Sequence, residues 1–256
     1  MKGKTALVTG AAGGIGASVA RALGEQGVRV AAVDRDADRL RETARELTAD
    51  GHDILPFPAD VTSAAEVDTL VDTVERELGP LDHLVNAAGV LRLGRVDALT
   101  DEDWTATFGV NTLGVFLMSR AVATRMTGRN RGAIVTVASN AATTPRVEMA
   151  AYSASKAAAA MFTKCLGLEV ARHGIRCNVV APGSTDTPML RAMWHDETGP
   201  EKTVRGSLDA YRLGIPLEKV ARPADVADAV VFLLSDQAAQ ITLHTLTVDG
   251  GATLGT

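Results

Sequence analysis

The sequence is poor in the features that mark several protein classes. It has two cysteines, Cys165 and Cys177, which form neither a CxxC pair nor a dense framework. That excludes a disulfide scaffold and points to two ordinary buried thiols in a reducing compartment. A formal net charge of −5 is spread along the chain without any block of lysine or arginine, so nothing in it resembles a surface for nucleic acid or an anionic membrane. No apolar run approaches the ~18 residues that a membrane span needs, and Met1 and Lys2 lead directly into an apolar segment. A soluble, cytoplasmic protein with a small-molecule partner is therefore expected. His52, His83, His173, His195 and His244 stand far apart and make no pair at helical ligand spacing, so no metal is expected. Internal repeats, low-complexity tracts and interdomain linkers are missing too.

What is present is alternation. The 256 residues, 46% of them hydrophobic, suffice for one large domain and leave little for a second. Short β-rich apolar runs at 5–9, 28–33, 54–57, 81–85, 133–138, 175–180 and 243–248 are separated by helical patterns at 16–26, 36–49, 64–78, 101–125, 152–172 and 224–234. This order predicts a single α/β domain over residues 1–256, a Rossmann-type doubly wound parallel sheet with helices on both faces. Ligands of such sheets bind at the carboxyl ends of the strands. The polar connection 188–212, broken by Gly199 and Pro200, predicts a lid over that edge.

The first β-rich run ends in TGAAGGIG. Gly10, Gly14 and Gly16, with Ile15 between the last two, suit a tight strand-to-helix turn whose backbone approaches a pyrophosphate at the helix amino terminus. The spacing is G-x-x-x-G-x-G, and a bare structural turn has the same composition. Asp34 ends the second run, where a carboxylate can accept hydrogen bonds from the adenosine ribose and repel a 2′-phosphate, favouring NAD. Its other reading is a helix cap, and Arg35 beside it suits the phosphate of NADP. Asp60 and Val61 suit the adenine edge, with a cap again open to Asp60. NAAG, containing Asn86, Ala87 and Gly89, suits the cofactor floor.

Ser139 closes the fifth run, and Tyr152 opens a helical pattern that carries Lys156 one turn on. Positions i and i+4 share a helical face, so the ammonium can ease ionisation of a phenol whose free pKa is about 10. Ser139 can hydrogen-bond the reacting oxygen. Asn111, a poor helix former inside a helical pattern, suits a polar relay.

TGAAGGIG, Asp60, NAAG, Asn111, Ser139 and YSASK at 152–156 together resemble the short-chain dehydrogenase/reductase family over nearly the whole chain. The resemblance implies that Tyr152 is the proton acceptor, that Lys156 also binds the nicotinamide ribose, and that Asn111 positions water in a proton relay. It implies nicotinamide contacts for Pro182, Gly183, Thr185 and Thr187 of PGSTDT. A narrower resemblance, in NAAGVLRLG, GAIVTVASN, RCNVVAPGSTDT, LGIPLEKVARP and VDGGATLG, is to the 2,3-dihydro-2,3-dihydroxybenzoate dehydrogenases of catechol siderophore biosynthesis. That one implies hydride transfer from C3 of a cyclic dihydro acid to NAD, aromatisation of the ketone to 2,3-dihydroxybenzoate, and a homotetramer using the Tyr152 helix.

An acid substrate needs a counterion, for which Arg92 and Arg146 are candidates, with Met149 as an apolar wall. Glu148 is unexpected there. Facing the pocket, it would favour a 2-amino substituent and hence trans-2,3-dihydro-3-hydroxyanthranilate, oxidised at the same carbon; facing solvent, it is a hydrated loop charge. A catalytically inactive NAD-binding regulator is the alternative of a different class, opposed by the intact set Asn111, Ser139, Tyr152 and Lys156.

Overall fold

The computed structural model describes residues 1–194 and 196–255. His195, one of the five histidines and part of the 188–212 connection, lies outside the described residues, as does Thr256. The strands are β1 (Thr5–Thr9), β2 (Arg29–Asp34), β3 (Ile54–Pro58), β4 (His83–Asn86), β5 (Gly132–Val137), β6 (Ile175–Pro182) and β7 (Thr245–Val248). They form one parallel seven-stranded sheet in the order β3-β2-β1-β4-β5-β6-β7. The chain reverses its direction of travel between β1 and β4, which opens a crevice at their carboxyl ends.

Helices cover both faces because their apolar residues recur at helical spacing. On one side α1 (Gly14–Glu25), α2 (Ala37–Ala49) and α9 (Pro223–Leu234) bury Val19, Leu23, Leu40, Leu47, Val226 and Leu233 against the sheet. On the other, α3 (Ala64–Leu78) and α5 (Val115–Arg129) bury Val67, Val71, Val74, Met118, Val122 and Met126. Each such side chain stabilises the fold by roughly 1.5–3 kcal/mol. The Asp36 carboxylate starts α2 by accepting from the Arg39 N–H at 3.1 Å, and Ser63 Oγ starts α3 by accepting from the Glu66 N–H at 3.4 Å. Asp34 and Asp60 are therefore not the caps of these helices.

The helix expected over 101–125 is three pieces: α4 (Asp101–Phe108), a π-helical turn (Gly109–Gly114) and α5. The combined run Asp101–Arg129 is long and apolar enough to cross a membrane, which corrects the expectation that no run is; more than half of its apolar window is buried, and it packs as a core helix under the sheet. Beyond it, α6 (Ala150–Val170) presents Ala151, Ser155, Ala159, Thr163 and Gly167, all buried, at every fourth position. A stripe of small residues lets a helix approach its neighbours closely, and Thr163 Oγ1 donates to Thr136 Oγ1 of β5 at 2.8 Å. The connection 188–212 contains α7 (Pro188–Arg191), α8 (Gly199–Arg205) and a bridge between Ser207 and Arg212.

Candidate functional site

Two adjoining clefts occupy the carboxyl edge of the sheet and meet at Ile15, Ala87, Gly89, Thr187 and Met189. The first runs along the β1–α1 turn. Gly10 has φ +70°, and a Cβ on it would sit 2.8 Å from the backbone of Ala88; a Cβ on Gly16 would collide with the Gly10 carbonyl oxygen. Glycine is required here so that two strand ends and a helix can meet, and the resulting groove lies open at the amino terminus of α1. That cradle fits a dinucleotide pyrophosphate. Thr9, to which the sequence reading gave no role, ties the turn to the 87–88 segment, its Oγ1 accepting from the Ala87 and Ala88 N–H groups at 3.0 and 3.1 Å.

At the far end of this cleft stand Asp34, Arg35, Asp36, Arg39, Asp60 and Val61. The Asp34 carboxylate accepts from the N–H groups of Ala12, at 3.3 Å, and Asp36, at 3.1 Å, which fixes it at the strand end. Arg39 is an addition, invisible as a site residue in the sequence because a helical arginine reads as a solvated charge; here its guanidinium lies beside Gly13. Asp60 accepts from the N–H and the hydroxyl of Thr62, both at 2.8 Å, and the backbone hydrogen bond from Thr62 holds its carboxyl below the ordinary range. Asn86 needs a correction. It is buried beneath the floor, its Nδ2 donating to Ser119 Oγ at 2.9 Å and Thr136 Oγ1 at 3.4 Å, and it lines neither cleft; Ala87 and Gly89 do.

The second cleft brings together Ser139, Tyr152, Lys156, Pro182, Gly183, Thr185 and Thr187. β5 delivers Ser139, whose Oγ accepts from the Ala141 N–H at 3.1 Å and whose side chain also hydrogen-bonds that of Tyr152. Enclosure pushes the Tyr152 phenol above its ordinary value, with the Ser139 hydrogen bond pulling the other way. Lys156 Nζ donates to the Val137 carbonyl at 2.9 Å and lies over the Tyr152 ring, 5.9 Å from its centre. Burial brings this lysine down to about 8.

Asn111 sits in the π-turn, fully buried, its Oδ1 accepting from the Val90 N–H at 2.8 Å and its Nδ2 donating to the Val90 carbonyl at 2.9 Å and to Ser155 Oγ at 3.0 Å. Ser155 in turn donates to the Tyr152 carbonyl at 2.8 Å. The widened turn, a frequent site device, thus joins the loop after β4 to the first turn of α6.

Arg146, Glu148 and Met149 all border the second cleft. Glu148 is exposed and left-handed, with φ +63°, and its carbonyl accepts from the Gly94 N–H at 3.0 Å. Arg92 is elsewhere: it pairs with Asp103 of α4 at 3.6 Å and does not line the cleft, which removes it as a counterion in this arrangement. The connection 188–212 supplies Met189, Leu190, Met193, Ala210 and Arg212 to the same cleft.

The family model for short chain dehydrogenase matches residues 4–198. A 2,3-dihydro-2,3-dihydroxybenzoate dehydrogenase from Bacillus subtilis is 55% identical over 255 residues, covering 100% of this chain and 98% of that protein. A vibriobactin-specific 2,3-dihydro-2,3-dihydroxybenzoate dehydrogenase from Vibrio cholerae is 43% identical, covering 97% and 95%. Among solved structures, an actinorhodin polyketide ketoreductase variant with NADPH is 38% identical, with a TM-score of 0.89 over 97% of both chains.

Proposed function

This chain belongs to the short-chain dehydrogenase family, and from that premise we propose that it oxidises the C3 alcohol of trans-2,3-dihydro-2,3-dihydroxybenzoate, the ketone then aromatising to 2,3-dihydroxybenzoate. The observation that carries the reading is end-to-end likeness, at 55% identity, to the Bacillus subtilis protein of that name. A role in siderophore synthesis draws support from the vibriobactin-specific relative.

The nicotinamide dinucleotide supplies, when bound, the acceptor for the hydride that leaves C3. The residues that would hold it are those of the glycine turn, Asp34, Asp60 and Val61, Ala87 and Gly89, and the segment from Pro182 to Thr187. NAD is the proposed form, because Asp34 opposes a 2′-phosphate; Arg35 and Arg39 in the same cleft are the contrary charges.

Tyr152 Oη takes the proton of the substrate hydroxyl, with Ser139 holding the reacting oxygen. A buried lysine near 8 changes charge close to working pH, so Lys156 is suited to bind the ribose and to set the potential around the phenol. Asn111 spends its amide on Val90 and Ser155, which supports a positioning role for the α6 turn; a relay water would use the remaining lone pair of Oδ1. Arg146 offers the substrate carboxylate a partner and Met149 an apolar wall, while the 188–212 segment serves as lid. Glu148, at the same cleft, is the observation that sustains the 2-amino analogue as a second reading. Assay of the purified protein with NAD and each dihydro acid tests both, and turnover of neither would end the proposal.

The proposed assembly is a homotetramer. Its support is an apolar face on α5 and α6, where Met161 and Leu168 are 61% and 68% exposed and Phe116 meets Phe162 edge-on with ring centres 5.7 Å apart. Two free cysteines, Cys165 and Cys177, support a cytoplasmic setting.

A further inference from the structure

The cleft around Tyr152 contains a second arginine that patterning in the sequence does not single out. Arg212 lines the cleft with Arg146, and its Nη2 donates to Ser184 Oγ at 2.8 Å. Its backbone is fixed by a small hairpin in which Ser207 and Arg212 exchange two N–H···O bonds of 2.9 Å. Gly206 makes this closure possible, for it has φ +81° and a Cβ on it would collide with the Arg212 carbonyl oxygen. The hairpin owes little to core burial, since Leu208 and Tyr211 at its tip are 93% and 90% exposed. Its tight geometry serves to aim Arg212 inward.

Two guanidinium groups facing one cleft repel each other. Burial lowers the proton affinity of Arg212, and the charge of Arg146 lowers it further; among the described residues no acidic group opposes this. Arg146 is lowered by burial as well, with Asp249 opposing. Asp249 is already engaged: its Oδ2 accepts from Asn140 Nδ2 at 3.1 Å and from the N–H and hydroxyl of Thr253 at 3.0 and 2.8 Å, and its Oδ1 accepts from the Gly251 N–H at 2.9 Å. Glu148 borders the cleft but is exposed. Arginine stays protonated at any working pH, so the cleft holds two cations, and while Asp249 acts on Arg146, no acidic group among the described residues acts on Arg212, which is left for an incoming anion to balance.

We infer that Arg146 and Arg212 form a two-arginine subsite for the carboxylate of a cyclic acid, and that Arg212 on its hairpin is a specificity-determining residue. The inference rests on the proposed dihydro-acid substrate and deepens it. The carboxylate bridges one arginine on the loop before α6 and one on the 188–212 segment, so an acid binds across the cleft and draws that segment onto it. A planar fork suits this bridging better than an ammonium does.

The test separates binding from turnover. Benzoate and its neutral isostere benzamide are titrated, with NAD present, into wild type, Arg212→Met, Arg212→Lys and Gly206→Ala, after melting curves show that each variant is folded. Benzoate is expected to bind wild type in preference to benzamide. That preference should fall roughly 10- to 100-fold in Arg212→Met, as loss of a charge-assisted contact requires, by less in Arg212→Lys, and also in Gly206→Ala, which keeps the arginine but misplaces it. The ratio of kcat/KM for the 2,3-dihydro acid over the carboxyl-free trans-cyclohexa-3,5-diene-1,2-diol should fall by the same factor in Arg212→Met, mainly through KM. An unchanged benzoate preference, or an unchanged acid-to-diol ratio, overturns the subsite. A wild type that prefers benzoate yet turns over neither dihydro acid would overturn the proposed reaction while supporting the subsite.

Discussion

At Tyr152 two influences oppose each other, enclosure raising the phenol and the Ser139 hydrogen bond lowering it. In its proposed role as proton acceptor, Tyr152 therefore depends on the groups brought together around it. Tyr152→Phe keeps the ring and removes only the acceptor. Its expected effect is a loss of ~10²- to 10⁴-fold in kcat with NAD affinity, read by fluorescence titration, nearly unchanged; near-normal turnover would reject the role. At the other end of the cofactor cleft, Asp34 is anchored by two backbone N–H groups while Arg35 and Arg39 stand around it. Removing this carboxylate shifts the balance of charge towards Arg35 and Arg39, so Asp34→Ala should shift the NAD-to-NADP ratio of kcat/KM towards NADP by about tenfold or more. A wild-type preference for NADP would instead assign the site to the arginines. Asp34 and Ser139 were legible in the sequence because each closes a β-rich run, where parallel sheets put their ligands, and Tyr152 because Lys156 follows it at helical spacing. Asn86 also closes such a run yet turns beneath the floor, and Arg92, in the loop that follows, turns to Asp103.

Elements impose constraints that single residues do not reveal. The π-turn converts an expected straight helix into a bracket for Val90 and Ser155, and no periodicity signals it, since one widened turn hardly disturbs an amphipathic pattern. β4 carries a different constraint at its amino end, away from the clefts. His83 is buried there, with neither ring nitrogen hydrogen-bonded among the described residues, and burial lowers it from an ordinary 6.5 to about 4 despite the nearby Asp82. Above pH 6.5 the ring is neutral in both folded and unfolded chains and adds no pH dependence. Between 6.5 and 4 the unfolded chain takes up a proton that the folded chain refuses, so stability falls as pH falls, by on the order of 3 kcal/mol once pH 4 is reached. Denaturant titrations across that window should show this slope in wild type and a flatter one in His83→Phe. Equal slopes would mean that the ring is relieved by contacts absent from this arrangement.

At the scale of the whole molecule stands the proposed assembly. Met161 and Leu168 project from α6, the same helix whose first two turns hold Tyr152 and Lys156, so burying that face in a partner would stiffen this helix. Met161→Asp with Leu168→Asp should shift sedimentation from the proposed tetramer to smaller species and lower kcat; a wild-type monomer would refute the assembly. The sequence by itself determined the alternation of strands and helices, the parallel sheet, the glycine turn, and the triad of Ser139, Tyr152 and Lys156. Those are local: periodicity and chain order suffice, because hydrophobic spacing selects the element and crossover handedness then selects the sheet. Only the tertiary structure decided which arginines face the substrate cleft, that Asp36 and Ser63 do the capping that Asp34 and Asp60 were equally suited to, and that Lys156 bonds to Val137. A loop side chain has no periodic signature, and its direction is set by contacts with segments far along the chain, as the hairpin closed over Gly206 sets that of Arg212.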